Sequence, residues 1–137
     1  MVPNTVKTLF ASTAFALLAT AALAQQAGHG DAGAGEKVFT KCKSCHQVGE
    51  NAKNLIGPEL NGLIGRKAAS VAGYNYSEAM KASGLTWDEA TFREYIKNPK
   101  AKVPGTKMVF AGLSKDKDID DLEAFLTQYG PDGKKAP

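Results

Sequence analysis

Apolar side chains recur at helical spacing in several stretches of this chain and thin out between them. The clearest stretch is the last. Ile119, Leu122, Phe125, Leu126 and Tyr129 fall on one face, Asp116 and Asp118 place acid in the first turn, and Gly130-Pro131 marks the stop. Ser114 is the expected N-cap of this helix. A first helix is predicted from near Ala34 to Cys45, with Phe39 on its inner face and Gly35 one turn earlier, where a missing side chain lets a second helix approach. Thr86-Trp87-Asp88-Glu89 has the form of a capping box, opening a helix through Phe92, Tyr95 and Ile96 to a stop at Asn98-Pro99. Ser77 to Ala82 reads as a short helix that carries Met80. The expectation is an all-α fold. Its long glycine-rich loops, from Gln47 to Gly73, need a large apolar body at the centre to pack around.

A different pattern occupies the N-terminus. Lys7 is followed by an apolar run from Leu9 to Leu23, and Ala22-Leu23-Ala24 closes it with small residues. The run is interrupted by Ser12, Thr13 and Thr20 and falls short of the ~20 apolar residues of a membrane-spanning helix. Residues 1–24 are therefore expected to be a secretory signal cleaved after Ala24, followed by a tail over 25–33, one domain over 34–130 and a C-terminal tail over 131–137. Export to the bacterial periplasm without stable membrane insertion is the corresponding expectation.

Length and charge narrow the function. A chain of 137 residues leaves room for one ordinary domain after the signal. The formal charge of +3 loses only Lys7 with the signal, so the mature chain carries about +2, too little for bulk nucleic-acid binding. The lysines are nevertheless unevenly placed, and a dipolar surface can steer partners.

The two cysteines decide the chemistry. Cys42-Lys43-Ser44-Cys45-His46 places two thiols one helical turn apart, able to reach two vinyl groups, with the adjacent imidazole able to reach iron. This is the pattern of covalent haem attachment. A disulfide or half of a zinc site is the competing reading, but no second ligand pair stands at zinc spacing and no thioredoxin-like βαβ pattern surrounds the motif. For a sixth ligand the sequence offers Met80, Met108 and His29. Met108 follows the turn signal Pro104-Gly105, whereas Met80 sits on a helix, where a methionine more often packs; pattern favours Met108.

With these residues in place, the sequence resembles class I cytochrome c, in particular the bacterial cytochrome c2 and mitochondrial cytochrome c group. Gly57-Pro58, Gly65-Arg66-Lys67, Tyr74-Asn75-Tyr76, Leu85-Thr86-Trp87, Tyr95, Asn98-Pro99-Lys100 and Thr106-Lys107-Met108-Val109-Phe110-Ala111-Gly112 follow the motif in family order. The resemblance implies a fold with crossing terminal helices around one covalently bound haem c, held by Cys42 and Cys45, with His46 and Met108 as axial ligands. It also implies that the Pro58 carbonyl accepts the other imidazole N–H and that Arg66, Tyr76 and Trp87 hydrogen-bond the propionates. Tyr95 would lie near the Met108 sulfur, Thr106 near a propionate, and Phe110 over the haem edge. Two propionates would bring the net charge near zero.

One departure is Met80, which stands where mitochondrial cytochromes c place an asparagine in a buried water network. A thioether cannot donate, so a rearranged or missing water is expected there, and a crystal structure with that water in the family position would refute it. The implied function is one-electron transfer by a monomer between membrane redox complexes, such as a cytochrome bc1 complex and a terminal oxidase or photosynthetic reaction centre. Lys41, Lys100, Lys107 and Lys115 match positions that ring the exposed edge in the family, and no enzyme chemistry is required. The alternative is peroxidase-like or gas-sensing chemistry at an iron from which Met108 dissociates.

Overall fold

The computed structural model describes residues 30–136. The expected signal over 1–24, residues 25–29 of the tail, and the candidate ligand His29 lie outside the described residues. Within them the chain forms α1 (Ala32–Phe39), α2 (Glu78–Ala82), α3 (Glu89–Lys97), α4 (Pro99–Lys102) and α5 (Asp116–Leu126), joined by long loops. The all-α architecture follows the hydrophobic pattern, but several boundaries differ from it.

α1 is capped by Asp31, whose carboxylate accepts the Ala34 N–H. It ends at Phe39 instead of Cys45. The Thr40 hydroxyl turns back to the Lys37 carbonyl, and the chain continues in tight turns, Cys42 N–H to Phe39 O at 2.8 Å and Cys45 N–H to Cys42 O at 3.0 Å. The capping box at Thr86 does not form. Trp87 exchanges backbone hydrogen bonds with the loop at Gly65 and Arg66, Thr86 bridges Lys67, and the N-cap of α3 is Asp88, which accepts from Thr91 N at 2.7 Å. Pro99 does stop α3, yet it also opens α4, because its fixed φ suits a first helical position and Asn98 caps the new helix. The cap of α5 is Lys115, not Ser114, with no side-chain hydrogen bond; Asp116 and Asp118 complement the helix dipole instead.

α1 and α5 cross face to face. A Cβ at Gly35 would run into the Asp121 carbonyl and lie 2.7 Å from Phe125 Cβ, so the glycine sets the closeness of the crossing. The Phe39 and Phe125 rings lie 5.1 Å apart, and Ile119, Leu122 and Leu126 are fully enclosed beneath them. Burial of each such side chain contributes about 1.5–3 kcal/mol. The seam has a polar lock. The buried Asp121 carboxylate accepts Asp31 N–H at 2.8 Å and both oxygens face Lys117 Nζ at 2.9 Å, which holds its carboxyl below the usual aspartate range. Arg93 of α3 reaches α5 through Asp120, and through Glu123 at 3.5 Å.

The expected C-terminal tail folds back. Lys135 pairs with Tyr129 in an antiparallel bridge, Ala136 N–H donates to Gln128 O at 2.8 Å, and Gly133, at φ +76°, packs on the Gly49 backbone. This strap pins the loop that follows His46. Among the described residues no helix is long and apolar enough to cross a membrane.

Candidate functional site

The elements leave a cleft of about 250 Å³ between the turn after α1, the loop at 56–66, α2, α3, the loop at 106–110 and the inner face of α5. Its walls are mostly apolar. Cys42, Cys45, His46, Pro58, Arg66, Tyr76, Trp87, Tyr95, Thr106, Met108 and Phe110, every residue expected to serve a cofactor, line this one cleft. Lys41 and Lys107 stand at it as well, whereas Lys100 and Lys115 are exposed away from its lining.

The cysteine turn is held by backbone bonds from Cys45 and His46 N–H to Cys42 O at 3.0 and 2.9 Å. Both thiols are free. Burial, with Cys45 beside it, pushes the Cys42 thiol up to about 11, so it stays protonated. A redox dithiol needs the opposite shift. No cluster of metal-binding side chains of zinc type occurs among the described residues.

His46 is largely buried, which lowers its pKa; the nearby Arg66 acts in the same direction and the bond to Pro58 opposes both. The imidazole is therefore neutral at pH 7. Its Nδ1 lies 2.7 Å from the Pro58 carbonyl, so the proton resides there and the Nε2 lone pair is left for a metal. Gly57 packs flat on the ring: a Cβ there would stand 2.7 Å from both ring nitrogens.

On another wall, Tyr95 Oη lies 3.0 Å from Thr106 Oγ1 and 3.4 Å from Met108 Sδ. Burial raises the Tyr95 pKa, which keeps the phenol a donor. Thr106 Oγ1 also accepts Met108 N–H at 3.3 Å, so Met108 is held at its backbone by Thr106 and at its sulfur by Tyr95. Met80 lines the same cleft, 7% exposed on α2, and its sulfur has only a distant contact, 3.9 Å, with Ser83 Oγ. Lys107 Nζ donates to Asn75 O at 3.0 Å and Tyr74 Oη to Ile56 O at 2.7 Å, tying the loops on both sides to the segment at 74–76.

Two expected propionate contacts have protein partners of their own. Arg66 donates to Glu59 and to the Glu59 and Asn61 carbonyls, and Tyr76 Oη accepts from Val71 N at 3.2 Å. Gly57 and Glu59 were not singled out for these contacts by sequence reasoning. A glycine before a proline reads as a turn, and nothing local announces the imidazole packed against it. The donor set fits a covalently attached haem: two thiols on one turn, a neutral imidazole with a free Nε2, and an anchored thioether, all facing an apolar slot.

The cytochrome c family model matches residues 32–129. The chain belongs to the cytochrome c family. It is 64% identical over 128 residues to cytochrome c-554 of Methylosinus trichosporium, covering 93% of this chain and 94% of that one. It is 62% identical over 105 residues to cytochrome c2 of Rhodoplanes tepidamans, covering 77% of this chain and 98% of the relative. Among solved structures, cytochrome cH from Methylobacterium extorquens matches with a TM-score of 0.68 and 51% identity, covering 72% of this chain and 99% of that one. This cytochrome c therefore has the class I fold, a covalently attached haem c as cofactor and electron transfer between redox complexes as its function.

Proposed function

We propose that this cytochrome c works as a monomer in the bacterial periplasm, carrying single electrons between membrane redox complexes, with a haem held by Cys42, Cys45, His46 and Met108. The observation that carries the proposal is the convergence of these four donors, drawn from two distant segments, on one apolar cleft. When bound, the haem supplies a reversible one-electron couple at its iron.

The chain's own residues do the rest. Cys42 and Cys45 provide two anchoring thiols on a turn stiffened by the Cys42 carbonyl. Pro58 O retains the Nδ1 proton and presents Nε2 of His46. Tyr95 and Thr106 hold Met108 on its side of the cleft, and a soft thioether together with an imidazole on the iron would favour its reduced state. Arg66, Tyr76, Trp87 and Thr106 would serve the propionates, Arg66 and Tyr76 alongside the protein partners they already have, and Phe110 would cover the edge beside Met108. At the mouth, Ile56 is 76% and Val109 92% exposed, close to Lys41 and Lys107. An apolar centre among cations suits brief docking on acidic surfaces, with Lys100 and Lys115 extending the positive field. A cytochrome bc1 complex as donor, and a terminal oxidase or photosynthetic reaction centre as acceptor, present such chemistry.

Peroxide or gas chemistry would need an open coordination position. Tyr95, the phenol at the Met108 sulfur, already faces Thr106 and Met108, and the relatives are cytochromes c2, c-550 and c-554. Optical spectra of the purified protein test the proposal. A c-type pyridine haemochrome with a weak long-wavelength sulfur-to-iron band in the oxidised form is expected. Covalent haem without that band would remove Met108 from the ligand set, and no haem would overturn the assignment of the cleft.

A further inference from the structure

Three cations, Lys41, Arg66 and Lys107, line the cleft, and no carboxylate lines it. Arg66 is 17% exposed, so its charge is poorly screened by water, and its ion-pair partner is Glu59, 22% exposed and set behind it. All polar atoms of Glu59 are engaged. Its N–H donates to Asn54 Oδ1 at 3.0 Å, Oε2 accepts from Asn61 N at 2.6 Å, Oε1 accepts from Arg66 Nη1 at 3.2 Å, and its carbonyl accepts from Arg66 Nη2 at 3.0 Å. Arg66 Nη1 also donates to Asn61 O at 2.7 Å. The residue before Glu59 is Pro58, whose carbonyl accepts from His46.

The geometry points to Glu59 as a positioning residue that lowers the reduction potential of this carrier, by holding the Pro58 peptide against His46 and by cancelling the charge of Arg66 at the cleft wall. The proposal rests on the assignment of the cleft to haem. Reduction adds an electron, so an uncompensated cation beside the site favours the reduced state, and a carboxylate paired to that cation withdraws the advantage. The second effect has the same sign. A firmly held carbonyl on Nδ1–H makes the imidazole a stronger donor, which favours the oxidised metal. Removal of Glu59 therefore raises the potential by both routes.

Glu59→Gln removes the charge and keeps one of the two contacts, since the amide oxygen still accepts from Asn61 N or from Arg66 Nη1 while its NH2 group can accept from neither. The expected result is a reduction equilibrium constant at least threefold larger than wild type, on a scale where tenfold is 59 mV for one electron. Glu59→Ala removes the contacts too, and is expected to raise the constant further and to move the His46 Nδ1–H proton resonance. Should the alanine variant fail to fold, Glu59→Asp keeps the charge but draws it back from Asn61; it should move that resonance while changing the constant less than twofold.

A haem-loaded Glu59→Gln protein within twofold of wild type would overturn the proposal, whatever its stability. So would an unmoved His46 resonance in both the alanine and aspartate variants. Wild-type protein without covalent haem would instead overturn the assignment of the cleft, which separates the two failures.

Discussion

Gly57 has no side chain and carries no charge, yet the geometry makes it one of the most sensitive positions in the site. In Gly57→Ala the new Cβ would stand 2.3 Å from Cε1 of His46 and 2.7 Å from both Nδ1 and Nε2. An ordinary contact needs about 3.5 Å, so the ring must retreat by about 1.2 Å at its nearest atom, Cε1. Its bond to Pro58 O, now 2.7 Å, would stretch beyond hydrogen-bond reach unless the loop moved with it. A lost bond at a part-buried carbonyl costs about 1–3 kcal/mol. Overpacking adds about 1–3 kcal/mol. The expected loss of about 2–6 kcal/mol is a large share of the ~5–15 kcal/mol that holds a domain together. Guanidinium unfolding of the haem-loaded protein, followed by far-UV circular dichroism and by the haem absorption, measures it. The displaced imidazole should also appear as a changed haem spectrum before unfolding begins. Stability within about 0.5 kcal/mol of wild type, with an unchanged spectrum, would refute the reasoning, because independent surface changes stay in that range.

Other substitutions probe the scaffold and the surface. Ala69 holds φ +59°, a left-handed conformation that costs a residue with a Cβ about 1–2 kcal/mol; after the extra entropy of an unfolded glycine, Ala69→Gly should gain up to about 1 kcal/mol in thermal unfolding, and a lowered melting temperature would contradict it. The Asp121 carboxyl is held below its ordinary range by Asp31 N–H and Lys117, so its stabilisation is full above the unfolded aspartate value of about 3.9 and is lost as pH falls through the lower folded value. Asp121→Asn should therefore lose stability at pH 7 and show a flatter stability profile below pH 4; equal slopes would exclude Asp121 as a source of acid sensitivity. If Lys41, Lys100, Lys107 and Lys115 steer docking, stopped-flow electron transfer with an acidic redox partner should slow as salt shortens the Debye length to ~8 Å and below, and a salt-independent rate would count against it.

What the sequence made legible was what is written at short range. The periodic faces of α1 and α5 announced Phe39, Leu122 and Phe125, and Gly35 announced room for a helix to approach, while the crossing itself came with the family resemblance; the contacts with Asp121 and Phe125 show where that room is used. The thiol spacing and the following histidine announced the attachment turn. Tyr95 was legible as a position on the apolar face of α3, but its place beside Met108 entered only through family resemblance, and its 3.4 Å approach to the sulfur is a tertiary fact. The misplaced boundaries share a cause. Thr86 looks like a cap until its backbone is claimed by Lys67 across the fold, and the helix expected to reach Cys45 is ended by a hydroxyl that bonds its own backbone. Glu59 was silent for the same reason: its partner Arg66 is near in sequence, but the carbonyl it steadies matters only because His46 folds against it.

The crossing of α1 and α5 also imposes an order of events on a chain that emerges from its N-terminus. The bond from Asp31 to Asp121 spans 90 residues, so the seam is among the last contacts that can close. Leu122 and Leu126 of α5 supply part of the cleft wall. Until they arrive the slot is open on that side. Docking of α5 then encloses Phe39 and completes the cover over the turn. The slot is thus closed on the α5 side only when the two ends of the domain meet, so the cleft exists as an enclosed site only in the completed fold.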